Sequence, residues 1–438
     1  MFVAIDDTDS QDRMCTTYLI YKIISENRYD VIGEPALVRL NPNIGYKTRG
    51  NGALNIELGR GKGKKTVIGK VSGRYLYSYD EIAEEPDRNE LMDYISSIVD
   101  EFYVRDNDKT NPGIVISQNK FHEDLYSIAL QEDISLQFME NYLNGRAMYR
   151  KFKTGHGIIG SAASLAWPGL RYTYELLDYR YPHYTSIEHD EKMEISKVPE
   201  KYNSTFNNID LQNKYPAIFP TPKTPVILGI RGVARNDLMD IYEEIKNYHN
   251  IDDEGYIIYK TNQGTDDHII HEPDYLSDMG SYAITGVISG QPYTIEGGHS
   301  FATLNYKNGD IKLAAFEPTK EFRKILLALV PGDIVTAYGS YMSGTVKLEK
   351  LRIIKKAPFY EKENPVCPVC NIKTKSKGAM DFRCPSCHRR YKNPVYIEIN
   401  RQINEGFYEV PVIARRHLSM PVKLSNYFYG SGNHSGAI

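Results

Sequence analysis

Two Cys-x-x-Cys pairs, Cys367-Pro-Val-Cys370 and Cys384-Pro-Ser-Cys387, stand thirteen residues apart and limit what this chain can fold into. Knuckles at this spacing supply four thiolates to one tetrahedral Zn²⁺. A closed four-cysteine site leaves no open position, so the metal is structural. These are four of only five cysteines in 438 residues, which is metal spacing and not a disulfide framework. The fifth, Cys15, has no histidine near it in sequence and reads as a small buried helix residue rather than a nucleophile. Around the pairs lie Lys373, Lys375, Lys377, Arg383, Arg389, Arg390 and Lys392, and Arg415, Arg416 and His417 extend the basic signal. Such residues suit phosphate contacts, with a solvated basic face as the alternative. His388 reads as a bystander to the metal.

The net charge of −3 conceals an asymmetry. From residue 351 onward there are 15 Lys+Arg against 6 Asp+Glu, a balance of +9, which leaves −12 on the first 350 residues. An acidic body with a basic tail suggests a polyanionic partner, and nucleic acid fits best. The length implies more than one domain. At 41% apolar and 25% charged residues the composition is that of a soluble globular protein. No run approaches the roughly 20 apolar residues of a membrane span, and no secretory leader opens the chain. Both favour the cytoplasm, with no membrane and no protein partner indicated.

The amino terminus reads M-F-V-A-I-D-D-T-D-S. Phe2 to Ile5 is a short buried strand that ends in Asp6, Asp7 and Asp9, and Met14 to Ile24 reads as an amphipathic helix with Thr16 and Thr17 in its first turn. Clustered carboxylates at a strand end suit Mg²⁺, and unpaired amides at the next helix start suit phosphate. A polar turn with an N-cap is the plain alternative.

Further along, Pro35 to Leu40 and Ala53 to Leu58 read as strands around a glycine-rich turn that carries Lys47 and Arg49. Gly59 to Thr66, G-R-G-K-G-K-K-T, is one residue short of a Walker A spacing and reads as a basic hairpin loop. A helix follows through Leu91 to Phe102, then a buried strand at Gly113 to Ile116 and one long helix over Leu125 to Leu143. Gly155, Gly157 and Gly160 match G-x-G-x-x-G but lack a preceding strand and an acidic ribose ligand. A dinucleotide fold is therefore disfavoured, and a phosphate-approaching loop or tight helix packing remains. Val226 to Ile230, a helix over Asp237 to Tyr248 and Tyr256 to Lys260 form a β-α-β unit. Its tips bring Arg231, Asn262 and Asp266 toward a common cleft, or into ordinary turn contacts. Five strand runs between 279 and 356, with a helix at Lys320 to Leu329 between the third and fourth, give the order of an OB-fold. The last residues, rich in Gly and Ser, read as disordered.

Taken together, I-D-D-T-D-S with M-C-T-T-Y, Y-K-T-R-G-N-G-A, G-H-G-I-I-G, L-G-I-R-G, T-N-Q-G-T-D, the OB-like and zinc segments, and A-R-R-H-L-S-M-P resemble the archaeal isoleucine-tRNA 2-agmatinylcytidine synthetases, the TiaS family, over essentially the whole chain. The resemblance implies a multidomain α/β and α+β molecule. Residues 1–140 would be a kinase-like ATP/Mg²⁺ domain, 141–272 ferredoxin-like, 273–356 an OB-fold, and 357–438 a zinc ribbon with a basic tail. It implies ATP-dependent joining of agmatine to C2 of the wobble cytidine in the CAU anticodon of tRNA-Ile, through a phosphorylated cytidine. Carried over, Asp6, Asp7 and Asp9 hold Mg²⁺, and Thr16 matches a threonine the family can autophosphorylate. Lys47, Arg49, Gly155, Gly157, Gly160, Arg231, Asn262 and Asp266 serve ATP, and Arg389, Arg390, Lys392, Arg415 and Arg416 serve RNA. One departure stands out: the family leads to an expectation of arginine where His156 lies, and with it of a weaker or pH-dependent hold on ATP. A non-catalytic RNA-binding protein, or an ATP-dependent RNA-modifying enzyme of other specificity, is the rival reading.

Overall fold

The computed structural model describes residues 1–10, 13–45, 47, 50–181, 187–220, 223–249, 251–307, 309–378 and 380–429. Arg49 and the Gly/Ser-rich last residues therefore lie outside the described residues. The first part runs β1 (Phe2–Asp6), α1 (Thr16–Glu26), β2 (Asp30–Arg39), β3 (Gly52–Val71), β4 (Arg74–Glu84), α2 (Arg88–Phe102), β5 (Gly113–Ser117), α3 (Glu123–Gln131), α4 (Leu136–Leu143), β6 (Met148–Lys151) and α5 (Gly157–Leu165). It continues through β7 (Thr173–Tyr179), α6 (His189–Lys197), β8 (Val226–Gly232), α7 (Arg235–Tyr248) and β9 (Gly255–Thr261).

Among the described residues these strands form one sheet, in the order β6-β5-β1-β3-β4-β2-β9-β7-β8. β1 lies antiparallel between β3 and β5. Strand alternation sends Val3 and Ile5 into the core with α1 and α2, and Ala4 into the core with α3, α4 and α5. Around β1 the sheet is thus covered on both faces. β9 pairs in parallel with β2 and antiparallel with the end of β3, so the segments expected as first and second domains share one sheet. β7 lies between β8 and β9 and antiparallel to both, which makes the β8-α7-β9 unit a split β-α-β.

Three local expectations change. Gly59 to Thr66 is not a loop but the middle of β3, paired with β4; the turn is Ser72-Gly73, both at positive φ, as a two-residue hairpin turn requires. The long helix expected over 125–143 is two helices, because Ser135 turns the chain and caps α4 by accepting the Phe138 N–H at 3.2 Å. The glycine motif does follow a strand, the short β6.

The next part comprises β10 (Ile269–His271), β11 (Ser281–Ile288), β12 (Tyr293–Thr294), β13 (Ser300–Tyr306), β14 (Gly309–Ala315), α8 (Phe322–Leu327), β15 (Ile334–Met342) and β16 (Thr345–Lys355). β11 pairs with both β13 and β15, β15 with β16, β16 with β14 and β14 with β13, so five strands close a barrel. Its core holds Ile284, Leu304, Leu313, Val335 and Leu351, and α8 stoppers it with Phe322 and Leu326. Then come β17 (Tyr360–Glu363), β18 (Lys375–Gly378), β19 (Asp381–Arg383), β20 (Arg390–Tyr391), β21 (Val395–Glu398), β22 (Gly406–Glu409) and α9 (Val422–Tyr429). The cysteine module is an excursion: β22 returns to pair with barrel strand β16. The chain then reaches the large sheet, where the Gly264 and Asp266 amides donate to the His417 and Leu418 carbonyls at 2.8 and 2.9 Å. Among the described residues no helix is long and apolar enough to cross a membrane.

Candidate active site

A cavity of about 250 Å³ opens where β1, β2, β7 and β8 face the starts of α1 and α5. One wall is acidic: Asp6, Asp7 and Asp9 line it, with Thr16, Thr17 and Cys15 beside them. The Asp6 carboxylate accepts the Asp7 amide at 2.7 Å. Asp7 sits at φ 58°, a left-handed conformation unusual outside glycine, and its carboxylate accepts the Asn111 amide at 3.1 Å. Thr110 fixes the next turn by donating to the Asp9 carbonyl at 2.8 Å. Burial, with repulsion from Asp9, pushes the Asp6 carboxyl up to about 7 against the pull of the Asp7 amide. Burial, then Asp6 and Asp9, pushes Asp7 up to about 8. Carboxyls that burial and each other hold back from ionising are what a bound cation relieves.

The glycine motif serves this wall by absence. A Cβ on Gly157 would lie 2.5 Å from the Asp6 carbonyl oxygen, and one on Gly160 would lie 1.8 Å from Asp6 Oδ2. Both glycines line the cavity, whereas Gly155 is not among its lining residues; it supplies a φ of +72° that turns the chain into α5. His156 precedes the helix, lines the cavity and contacts Thr154 through Nδ1 at 2.8 Å. Thr16 opens α1, and the Thr8 hydroxyl donates to its Oγ1 at 3.1 Å.

The same cavity is also lined by basic side chains. Arg39 from β2, Lys47, Arg231 from β8 and His417 from the carboxy-terminal segment line it. Between the arginines lies the buried carboxylate of Glu175, which accepts Arg231 Nε at 3.0 Å and faces Arg39 at 3.5 Å. His417 Nδ1 contacts the Gln263 amide oxygen; because that oxygen only accepts, Nδ1 carries the proton and Nε2 the lone pair. The Arg39 charge, then burial, Arg231 and Lys47, hold the His417 imidazole well below its ordinary value, so it is neutral. Sequence reasoning did not name Glu175, and it named His417 only with Arg415 and Arg416, as an extension of the basic signal suited to phosphate contacts and not as part of this cavity.

Other expected site residues lie elsewhere. Asn262 and Asp266 do not reach the cavity with Arg231. The buried Asn262 side chain bonds the backbone of Arg39, with distances of 2.7 and 2.8 Å, and Tyr126 at 2.6 Å. Asp266 ties the Met420 amide and pairs with barrel Lys350. The T-N-Q-G-T-D segment is therefore a strut joining sheet, barrel and tail. Arg415 pairs with Glu409 at 2.8 Å, and Arg416 with Asn43 at 2.8 Å and Glu349 at 3.5 Å, so internal partners occupy both. Arg389, Arg390 and Lys392 are exposed to solvent.

The second centre is the cysteine set. Sulfurs of Cys367, Cys370, Cys384 and Cys387 lie within 4.8 Å of one another. Each knuckle closes on a left-handed residue, Asn371 and His388, whose amides bond back to the Cys367 and Cys384 carbonyls at 2.8 and 3.1 Å. Four converging soft donors fit Zn²⁺. Among the described residues no other group of three acidic, Cys or His ligands converges so closely. The three aspartates do not converge as the thiolates do.

A cavity that gathers carboxylates and basic side chains is a setting for phosphoryl transfer, and the barrel and the basic ribbon are suited to nucleic acid. Fold and site together define a nucleic-acid-modifying, nucleotide-dependent enzyme. Family models described as the TiaS TCKD domain, the TiaS FLD domain and the TiaS C-terminal zinc ribbon domain match residues 2–155, 155–268 and 364–403. The isoleucine-tRNA 2-agmatinylcytidine synthetase TiaS of Thermoplasma volcanium is 49% identical over 431 residues, 98% of each chain. That of Archaeoglobus fulgidus is 36% identical, covering 96% of this chain and 97% of its own. A crystal structure of TiaS in complex with an isoleucine tRNA and ATP superposes with a TM-score of 0.80 at 33% identity over 96% of both chains. One of TiaS with an isoleucine tRNA, AMPCPP and agmatine gives 0.78 at 32% identity over 100% of this chain and 98% of that one. The chain belongs to the TiaS family of isoleucine-tRNA 2-agmatinylcytidine synthetases.

Proposed function

We propose that the chain uses ATP to join agmatine to C2 of the wobble cytidine in the CAU anticodon of an isoleucine tRNA. The observation that carries this is the cavity that gathers the aspartates at the end of β1 with Arg39, Lys47, Arg231 and His417, in a chain that matches the family end to end. In this reading residues 1–140 act as a kinase-like domain, 141–272 as a ferredoxin-like domain, 273–356 as an OB-fold and 357–438 as the zinc ribbon and tail.

The cytidine carbonyl is a poor leaving oxygen until phosphorylated. O2 attacks the terminal phosphorus of ATP, the bond to the bridging oxygen breaks, and ADP leaves. The primary amine of agmatine then attacks C2, the C2–O2 bond breaks, inorganic phosphate departs, and the nitrogen gives up a proton. Asp6, Asp7 and Asp9 would hold Mg²⁺, which neutralises phosphate charge and aligns the transfer. Lys47 and Arg231 balance charge in the same cavity, and the space left by Gly157 and Gly160 keeps the Asp6 carboxylate open to it. Thr16, the first residue of α1, would take a phosphoryl group in this reading, as the family resemblance suggests. His417 stays neutral beside Arg39, Arg231 and Lys47 and so adds no further charge to the phosphate site. The exposed Arg389, Arg390 and Lys392 meet RNA phosphates.

Nucleoside mass spectrometry after incubation with a CAU-anticodon tRNA-Ile transcript, ATP, Mg²⁺ and agmatine tests the proposal. A mass gain at the wobble cytidine that needs agmatine and vanishes in Asp7→Asn supports it. An unmodified cytidine under saturating substrates overturns it.

A further inference from the structure

The arm formed by the second part of β3 and all of β4, residues 59–84, belongs to no site described above. Its register sets Lys65 opposite Tyr79 and Lys70 opposite Tyr75. Strand alternation puts Tyr75, Tyr77 and Tyr79 on one face, while Leu76 and Ser78 are buried on the other. Tyr75 and Tyr77 are 46% and 44% exposed. Lys65 Nζ stands 5.1 Å from the Tyr79 ring centre and 5.9 Å from that of Tyr77, and Lys70 Nζ stands 5.3 Å from that of Tyr75.

The glycines of the G-R-G-K-G-K-K-T run explain how the rings are seated. A Cβ on Gly61 would lie 2.4 Å from Tyr79 ring atoms, so only glycine lets that ring lie flat across β3. A Cβ on Gly59 would lie 2.6 Å from Ile82 Cδ1. The arm also stands apart electrostatically. It carries six Lys+Arg against three Asp+Glu, a balance of +3, on an amino-terminal body whose total is −12. Exposed rings alternating with amines, on a positive island in an acidic surface, match a ligand with π-faces and regular negative charge.

We propose that the Tyr75–Tyr77–Tyr79 face of this arm binds a single-stranded stretch of the substrate RNA. Bases stack on Tyr75 and Tyr77, and the backbone phosphates run along Lys62, Lys64 and Lys65. Stacking on exposed rings beside basic side chains is how single strands are held without base reading. This inference rests on the tRNA reading for its partner and adds a contact surface in the amino-terminal domain.

The test uses the full chain and a fluorescently labelled CAU-anticodon tRNA-Ile transcript, with affinity read by anisotropy across a salt series. Three variants are compared: Tyr75→Leu/Tyr77→Leu, which keeps apolar bulk but removes stacking; Tyr75→Phe/Tyr77→Phe, which keeps the rings; and Lys65→Ala. The leucine pair is expected to bind about 10-fold or more weakly and the phenylalanine pair within about twofold of the parent chain. Lys65→Ala is expected to lower the slope of log K against log salt by about 1. ATP affinity, followed in parallel, stays constant if the variants are intact. Parent-like tRNA affinity in the leucine pair overturns the inference and leaves the proposed function standing. A change in oligomeric state with tRNA affinity retained also overturns it, because the face then serves a second copy of the chain. Failure of the parent chain itself to bind tRNA overturns both.

Discussion

The cavity works through residues whose charges are set by their neighbours. Glu175 is 2% exposed and lies between two arginine side chains. Its replacement by Gln leaves two buried guanidinium groups without their shared anion. The expected cost is about 3 kcal/mol of stability, read by urea unfolding. Gly160→Ala is expected to act differently. The new methyl meets Asp6 Oδ2, so turnover should fall about 100-fold with little loss of folded protein, read by steady-state kinetics beside circular dichroism. The titrations give opposite signs. Asp6 and Asp7 have raised folded values, about 7 and about 8, so the ligand-free fold binds extra protons above about pH 4. Their contribution to stability is present at low pH and is lost as pH rises through 7 to 8. Mg²⁺ needs the ionised forms, so the rise in Tm on adding Mg²⁺ should be larger at about pH 8.5 than at about pH 6, and the difference should shrink in Asp6→Asn/Asp7→Asn. The depressed His417 does the reverse: its contribution is present above its ordinary value near 6.5 and is lost as pH falls below it.

Elements whose side chains follow one rule were legible in the sequence; elements that mix rules were not. β1 reads as a strand because Phe2 to Ile5 is apolar, and α2 reads as a helix because Leu91, Ile95, Ile98 and Val99 recur at helical spacing. β7 was missed because T-Y-E-L-L-D-Y buries two acids, Glu175 and Asp178, in a strand interior where sequence rules expect none. Glu175 makes sense only once Arg39 and Arg231, from strands far apart in the chain, flank it. The break between α3 and α4 was missed because apolar periodicity continues across Ser135. The zinc knuckles were the most legible element, since ligand spacing alone specifies them. Removing zinc with a chelator, or Cys384→Ser, is expected to unfold the ribbon, weaken tRNA binding at least about tenfold and leave ATP affinity within about twofold. Limited proteolysis and parallel binding assays check this.

At the scale of the whole molecule the chain closes on itself. The ribbon leaves the barrel after β16 and returns through β22, and the following segment carries His417 into a cavity that the end of the amino-terminal strand also lines. The barrel, the ribbon and the cavity that holds the aspartates are thereby tied together, which sequence order alone did not reveal. In the proposed reaction this cavity transfers a phosphoryl group to the cytidine carbonyl before the amine enters. A tRNA carrying ¹⁸O at C2 of the wobble cytidine tests it directly, with released phosphates analysed by mass spectrometry after one turnover with ATP and agmatine. The label is expected in inorganic phosphate. Label in AMP would show that the carbonyl was activated by adenylyl transfer, and label in water would show that no activated oxygen formed; either result would contradict the proposed reaction.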